Sequence, residues 1–251
     1  QKSAGLHAST DGEFRRSYWH LDFMWGLNGM DRRTSRTGYM FHDEETTADT
    51  AVVTGKISGE NHPFVEHFKF VKALEEDGQV ARQTMPAPIQ TYSEVVLDRC
   101  DGQIESLRSV YPDDEALIED IAAAYRTVIA DLYAAGCRSI QFDDCTWGIY
   151  CDTDFVAKTG MSPVDIQKVS ELGVRLNNLA IEGKPEDLAI TTPVCRGNYH
   201  STYAFEGGYD PVAPYLFADE NVDAFYLEFD TPRAGTFEPL KYVAEGKKVV
   251  L

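Results

Sequence analysis

Residues 113–144, DDEALIEDIAAAYRTVIADLYAAGCRSIQFDD, decide the fold. Asp113 is a good N-cap. Leu117, Ile118, Ile121, Tyr125, Val128, Ile129 and Leu132 then recur three or four residues apart up to Gly136, the pattern of an amphipathic helix with a glycine stop. Directly after it, residues 137–143 (CRSIQFD) read as a short buried strand whose last residue is acidic. A long helix feeding straight into a buried strand is the repeating unit of a parallel α/β sheet.

The unit recurs on both sides. Downstream, Ser162 caps a helix with Pro163 at its first position, Val169, Leu172, Leu176 and Leu179 on one face, and Gly183 past its end. Residues 188–194 follow as a strand, and two more short strands are expected at 224–228 and 248–251. Upstream, a helix beginning near Pro63 places Phe64, Phe68, Val71 and Leu74 on one stripe, before a strand from residue 80 to about 85. A further strand must precede Asp11-Gly12-Glu13, which brings the series to six. That count fits a (β/α)₈ TIM barrel better than a doubly wound sheet, read as a single domain over residues 1–251 that lacks a strand at each end. The chain opens at Gln1 and stops inside a strand-like run, so the first and last strands are expected outside it. No GxGxxG or GxxxxGK[ST] motif is present, which speaks against a nucleotide-binding sheet. Residues 29–49 are polar and uncapped, a long loop or hairpin over the barrel mouth or a plain surface loop.

Composition narrows the class. With 41 acidic and 23 basic side chains the formal net charge is -18, a poor match to nucleic acid or an anionic membrane. A hydrophobic share of 43% is enough for a sizeable core. There is no apolar run long enough to span a bilayer and no signal-peptide pattern at the N-terminus, so a soluble, cytoplasmic protein is expected. Five cysteines, Cys100, Cys137, Cys145, Cys151 and Cys195, are too few and too irregular for a disulfide framework, and reduced thiols are expected.

In barrels of this kind chemistry sits at the C-terminal ends of the strands. Glu13, the 83–88 segment, Asp143 with Asp144, Cys195 and Glu228 fall there. Any one acid in such a place is most simply a cap for the following segment, but their coincidence at several strand ends suggests a polar focus. Cys195 and Glu228, from neighbouring strands, are chemically able to hold zinc, although no CxxC or HExxH motif supports them and a buried inert cysteine is the alternative.

Six segments carry a resemblance: DGEFRRSYWHLDF, VTGKISGENHPFVEHFKFVKAL, QTMPAPIQTYSEV, AGCRSIQFDD, TTPVCRGN and NVDAFYLEFDTPRAG. In that order they resemble the C-terminal catalytic barrel of cobalamin-independent methionine synthase, and most closely the short, single-barrel methionine-synthase-like members. The resemblance covers nearly the whole chain. It implies that Glu13 and Asp143 bind the amino group of homocysteine and that Tyr92 offers an aromatic face where the family stacks a tryptophan on the pterin of folate. It further implies that Cys195 and Glu228 are zinc ligands. The family's HxC pair would place histidine at position 193, where this chain has Pro193. His200 is a possible substitute donor or a surface-loop residue. A further cysteine ligand and the general-acid histidine would lie beyond Leu251, and the segment that holds the amino-acid carboxylate would precede Gln1.

The expected function is therefore zinc-dependent S-methyl transfer in methionine biosynthesis. The methyl group passes from 5-methyltetrahydrofolate or a related donor to homocysteine, both small molecules, and no catalytic acid is assigned. Zinc would deprotonate the thiol. The -18 charge disfavours a long polyglutamate tail on the folate unless Arg32, Arg33 and Arg36 form a basic patch. The alternatives are a carboxylate-pair glycoside hydrolase and a non-catalytic barrel that binds an amino acid or folate.

Overall fold

The computed structural model describes residues 1–251, with eleven strands and nine α-helices. In chain order they are β1 (Ala8–Ser9), α1 (Leu21–Gly26), β2 (Asn28–Thr34), β3 (Met40–Phe41), β4 (Glu44–Glu45), β5 (Asp49–Ser58), α2 (Pro63–Lys72), β6 (Val80–Ala81) and β7 (Gln83–Pro86). There follow α3 (Pro88–Val96), α4 (Gln103–Val110), α5 (Asp114–Ala134), β8 (Ser139–Asp143), α6 (Thr146–Cys151), α7 (Thr153–Thr159) and α8 (Pro163–Ile181). The last elements are β9 (Ala189–Val194), α9 (Ala213–Asp219), β10 (Ala224–Leu227) and β11 (Lys248–Val250).

The strands β7 to β11 form one parallel sheet in the order β11-β10-β9-β8-β7. Only Arg82 separates β6 from β7; β6 pairs in parallel with β1, and the Arg82 amide donates to Ser9 O at 2.8 Å. The six expected strands thus stand side by side in chain order, all parallel. No strand pairing joins β1 to β11, so the sheet is open rather than a closed barrel.

Helix α5 forms where the periodicity places it. The Asp113 side chain accepts from the Ala116 amide at 3.1 Å, and Leu117, Ile121, Tyr125, Val128 and Leu132 are buried. The chain turns out of the helix at Gly136, whose φ of 95° favours glycine. Helix α8 starts with a capping box between Ser162 and Asp165, but its buried face is rotated from the expected one. Ser170, Gly173, Val174, Leu176, Asn177, Ala180 and Ile181 face inward; of the expected stripe only Leu176 is fully buried, and Val169, Leu172 and Leu179 are partly covered. In α2 the stripe holds at Phe64, Phe68 and Val71, but Leu74 lies past the helix end and is 51% exposed.

Residues 29–49 form most of a hairpin. β2 runs antiparallel to β5, with β3 and β4 as a smaller ladder at its tip, and Ala51, Val52, Val53 and Ile57 of β5 are buried. The tip meets the loop after β9: Phe41 lies 5.6 Å from Tyr199 and His42 lies 4.0 Å from Tyr203, ring to ring.

Behind the sheet, Asn177 of α8 donates to two buried carboxyl groups, Asp144 at 3.0 Å and Glu220 at 3.2 Å. Burial, followed by the charge of Asp144, holds Glu220 well above its ordinary value of 4.5, and its Oε2 has no partner. An acid whose folded value is raised stabilises the fold least at high pH, because the unfolded chain gives up the proton first. Glu220→Gln is therefore expected to raise the urea midpoint at about pH 8 and to lose that advantage below about pH 4, where Glu220 keeps its proton in the folded and the unfolded chain alike. A midpoint at pH 8 no higher than the parent's would show that Glu220 is stabilised as an anion.

Candidate active site

β1 delivers Glu13 through a tight turn. Its φ of 59° is left-handed, an uncommon conformation for a residue with a side chain. The Glu13 carboxylate accepts from Thr84 Oγ1 at 2.7 Å and from Arg16 Nη1 at 2.9 Å. Arg16, itself nearly buried, also donates to Thr84 O at 2.7 Å and stacks over Phe64. Glu13 is thus fixed to β7 by Thr84 and largely neutralised by Arg16. Sequence reasoning passed over Arg16, whose signal was its place three residues after Glu13.

Asp143 ends β8, with the Gln141 amide donating to it at 2.8 Å. Burial pushes its carboxyl up to about 7, and the nearby charges of Glu13 and Cys195 push the same way. Its neighbour Asp144 has a structural role, accepting from the Thr146 amide at 3.1 Å and from Asn177.

Cys195 follows β9. Its sulfur lies 3.2 Å from that of Cys145, the residue just before α6. The Gly197 amide donates to Cys195 Sγ at 3.3 Å. The hydrogen bond between the two sulfurs lowers Cys195 to about 7, against the effect of burial, while Cys145 itself is raised. Cys145 had no assigned role in the sequence reading. The β8–β9 register, Gln141 opposite Thr191, sets Asp143 beside Pro193 when carried two residues on. Cys145 itself has already turned into the helical backbone that starts α6, and its contact with Cys195 is the direct sulfur–sulfur approach.

Glu228, just after β10, is near enough to Cys195 to raise it electrostatically, but its carboxylate is engaged. It accepts from the Arg196 amide at 2.8 Å and pairs with the Arg233 guanidinium. The Tyr209 hydroxyl fixes both strand ends, donating to Val194 O at 3.0 Å and accepting from the Glu228 amide at 3.0 Å. The structure therefore brings Glu13, Asp143, Cys195 and Glu228 into one neighbourhood. Tyr92 points elsewhere, its hydroxyl 3.3 Å from Asp114 at the start of α5. His200 faces Glu44 of the hairpin tip at 3.3 Å and stacks on Tyr199. Of the three arginines considered as a basic patch, Arg32 pairs with Asp49, and Arg36 with Asp98 and Asp101.

This donor set does not fit a four-coordinate zinc site. No three His, Cys, Asp or Glu side chains are grouped to hold a metal ion, Pro193 offers no side-chain donor, and Arg233 competes for Glu228. The chemistry of the recess is that of a hydrogen-bonded thiol pair beside an acid that exchanges its proton near neutrality.

No family profile matches the chain. It is 35% identical to two uncharacterized Bacillus subtilis proteins, YxjG over 249 residues and YxjH over 246, in each case across 97% of this chain and 62% of the relative. The chain thus spans less than two thirds of the length of the curated relatives it matches. Among solved structures it is similar to a Listeria monocytogenes protein provisionally assigned as a vitamin-B12-independent methionine synthase, with 35% identity and a TM-score of 0.72 over 99% of this chain and 64% of that one. A B12-independent methionine synthase from Shewanella sp. W3-18-1, solved with selenomethionine, shares the fold at 23% identity and a TM-score of 0.72, covering 99% of this chain and 65% of that one. A methyltransferase from Methanosarcina mazei shares it at 11% identity and a TM-score of 0.54, with the same coverage. None of the helices is long and apolar enough to cross a membrane. In sequence and fold, then, the chain is similar to methionine-synthase-like barrels of the methyltransferase type.

Proposed function

We propose that the protein transfers a methyl group to the thiol of a small amino acid of the homocysteine class, with 5-methyltetrahydrofolate or a related methylated compound as donor. One observation carries the reading. Glu13, Asp143 and Cys195 come from three strand ends and lie within electrostatic reach of one another, a grouping suited to an amino acid with a thiol, in a fold similar to that of a methionine-synthase-like protein. Arg16 already balances Glu13, so Asp143 supplies the net charge that receives the substrate ammonium, releasing its own proton as it does so. A partly buried site strengthens that pairing relative to water.

The test is a direct assay of S-methylation, in which homocysteine and a panel of methylated donors are incubated with the protein and methionine is quantified by chromatography. Product with at least one donor, lost in Asp143→Asn, supports the reading. Hydrolysis of aryl glycosides without methylation would replace it with the carboxylate-pair alternative. Pro193 favours one further reading, a barrel that binds the amino acid without turnover; binding with no methylation by any donor would select it.

Because the donor set does not fit zinc, the affinity of this chain for that metal is expected to be weak. Position 193 lies on the same side of β9 as Cys195, so Pro193→His adds an imidazole beside that thiol. It is expected to tighten zinc binding roughly tenfold or more in competition with a chromophoric chelator. Equal affinities would show that position 193 is not a ligand position here.

A further inference from the structure

Among the five cysteines, Cys100, Cys137 and Cys151 are buried as isolated thiols, whereas Cys145 and Cys195 are half-buried and touch each other. The contact is set by the two strand ends: Cys145 stands just past β8 at the helical start of α6, and Cys195 stands just past β9, the strand paired with β8. Helix α6 packs tightly over the same point, where a Cβ on Gly148 would come within 2.8 Å of Cys195 O. The two sulfurs need to close by only about 1.2 Å, from 3.2 Å to the covalent distance of about 2.05 Å.

We infer that Cys145 and Cys195 form a dithiol site that reacts with low-molecular-weight disulfides and closes to an intramolecular disulfide. Cys195, as thiolate, attacks one sulfur of a small disulfide RSSR, forming a Cys195–S–S–R bond and expelling one RS⁻. Cys145 then loses its proton to solvent and attacks Cys195 Sγ, which expels the second RS⁻. Two protein thiols are oxidised and one small disulfide is reduced to two thiols, so atoms and electrons balance. This inference stands apart from the methyl-transfer reading, since the pair can close whether or not the protein transfers methyl groups.

The experiment uses the full chain and oxidised glutathione as the probe, followed by acid quench, thiol counting after denaturation and peptide mapping by mass spectrometry. Two of the five thiols are expected to disappear without a retained glutathione, and a peptide linking 145 to 195 should appear. Cys145→Ser should stop the reaction at a stable glutathione adduct on Cys195. Circular dichroism of each variant checks that it is folded, and the wild-type peptide map stands by itself if one is not. Five free thiols after treatment, a stable adduct on wild-type Cys195, or a link through another cysteine would each overturn the inference.

Discussion

Asp143→Asn is expected to weaken binding of an amino-acid thiol by about 2–4 kcal/mol, roughly 30- to 700-fold in affinity. The variant keeps the shape of the side chain and its bond to Gln141 but removes a carboxylate that, unlike Glu13 with Arg16 and Glu228 with Arg233, has no ion-pair partner. The pH dependence makes the expectation specific. Burial holds Asp143 up to about 7, so below that value the substrate ammonium must displace a proton, and above it the carboxylate is ready. Affinity in the parent protein should therefore rise as pH increases through about 7, and the variant should lack that limb. Calorimetric titration with homocysteine across that range reads both. A parent profile that is flat through neutrality would remove Asp143 from the ammonium site.

Trp147→Ala is expected to cost about 3–5 kcal/mol of folding stability, the usual range for deleting a buried aromatic. Trp147 is only 1% exposed and its ring reaches to within 3.5 Å of where a Cβ on Gly173 of α8 would stand. It therefore anchors α6, the helix that follows Cys145, against the outer helical layer. Urea unfolding followed by circular dichroism measures the loss, and Trp147→Phe should recover a good part of it by restoring an aromatic ring. A loss below about 1 kcal/mol would place the packing energy of α6 elsewhere.

The six strands were legible because each is a short run of buried apolar residues framed by a helix stop or a loop, and parallel sheets write that pattern strongly. β5 was harder to see. Its first five residues, Asp49 to Val53, are all buried, including Thr50, so it shows neither alternation nor a purely apolar run. The inward face of α8 was misjudged for a related reason. Asn177 is buried because it donates to Asp144 and Glu220 and accepts from the Ile89 amide at 3.1 Å, and hydropathy alone cannot tell a satisfied polar side chain from an exposed one. At the site, strand ends pointed to Glu13, Asp143, Cys195 and Glu228 as neighbours. The groups that engage them were not legible: Arg233 reaches Glu228 across a loop, and Cys145 meets Cys195 only because β8 and β9 pair.

The hairpin between β1 and α2 leaves and rejoins the frame at one place, since Asn28 stands opposite Ser58. Its β5 strand packs into the core through Ala51, Val53 and Ile57, but the hairpin adds no strand to the parallel sheet, so a longer or shorter tip alters neither strand spacing nor register. The entropic cost of lengthening such a loop grows only with the logarithm of its length, about 0.6 kcal/mol per doubling. Residues 35–48 can therefore gain or lose a turn over evolutionary time while the strand ends below keep their geometry. The fold separates a floor, made of strand termini, from a roof whose tip can change length while Tyr39 keeps it tied to Glu94.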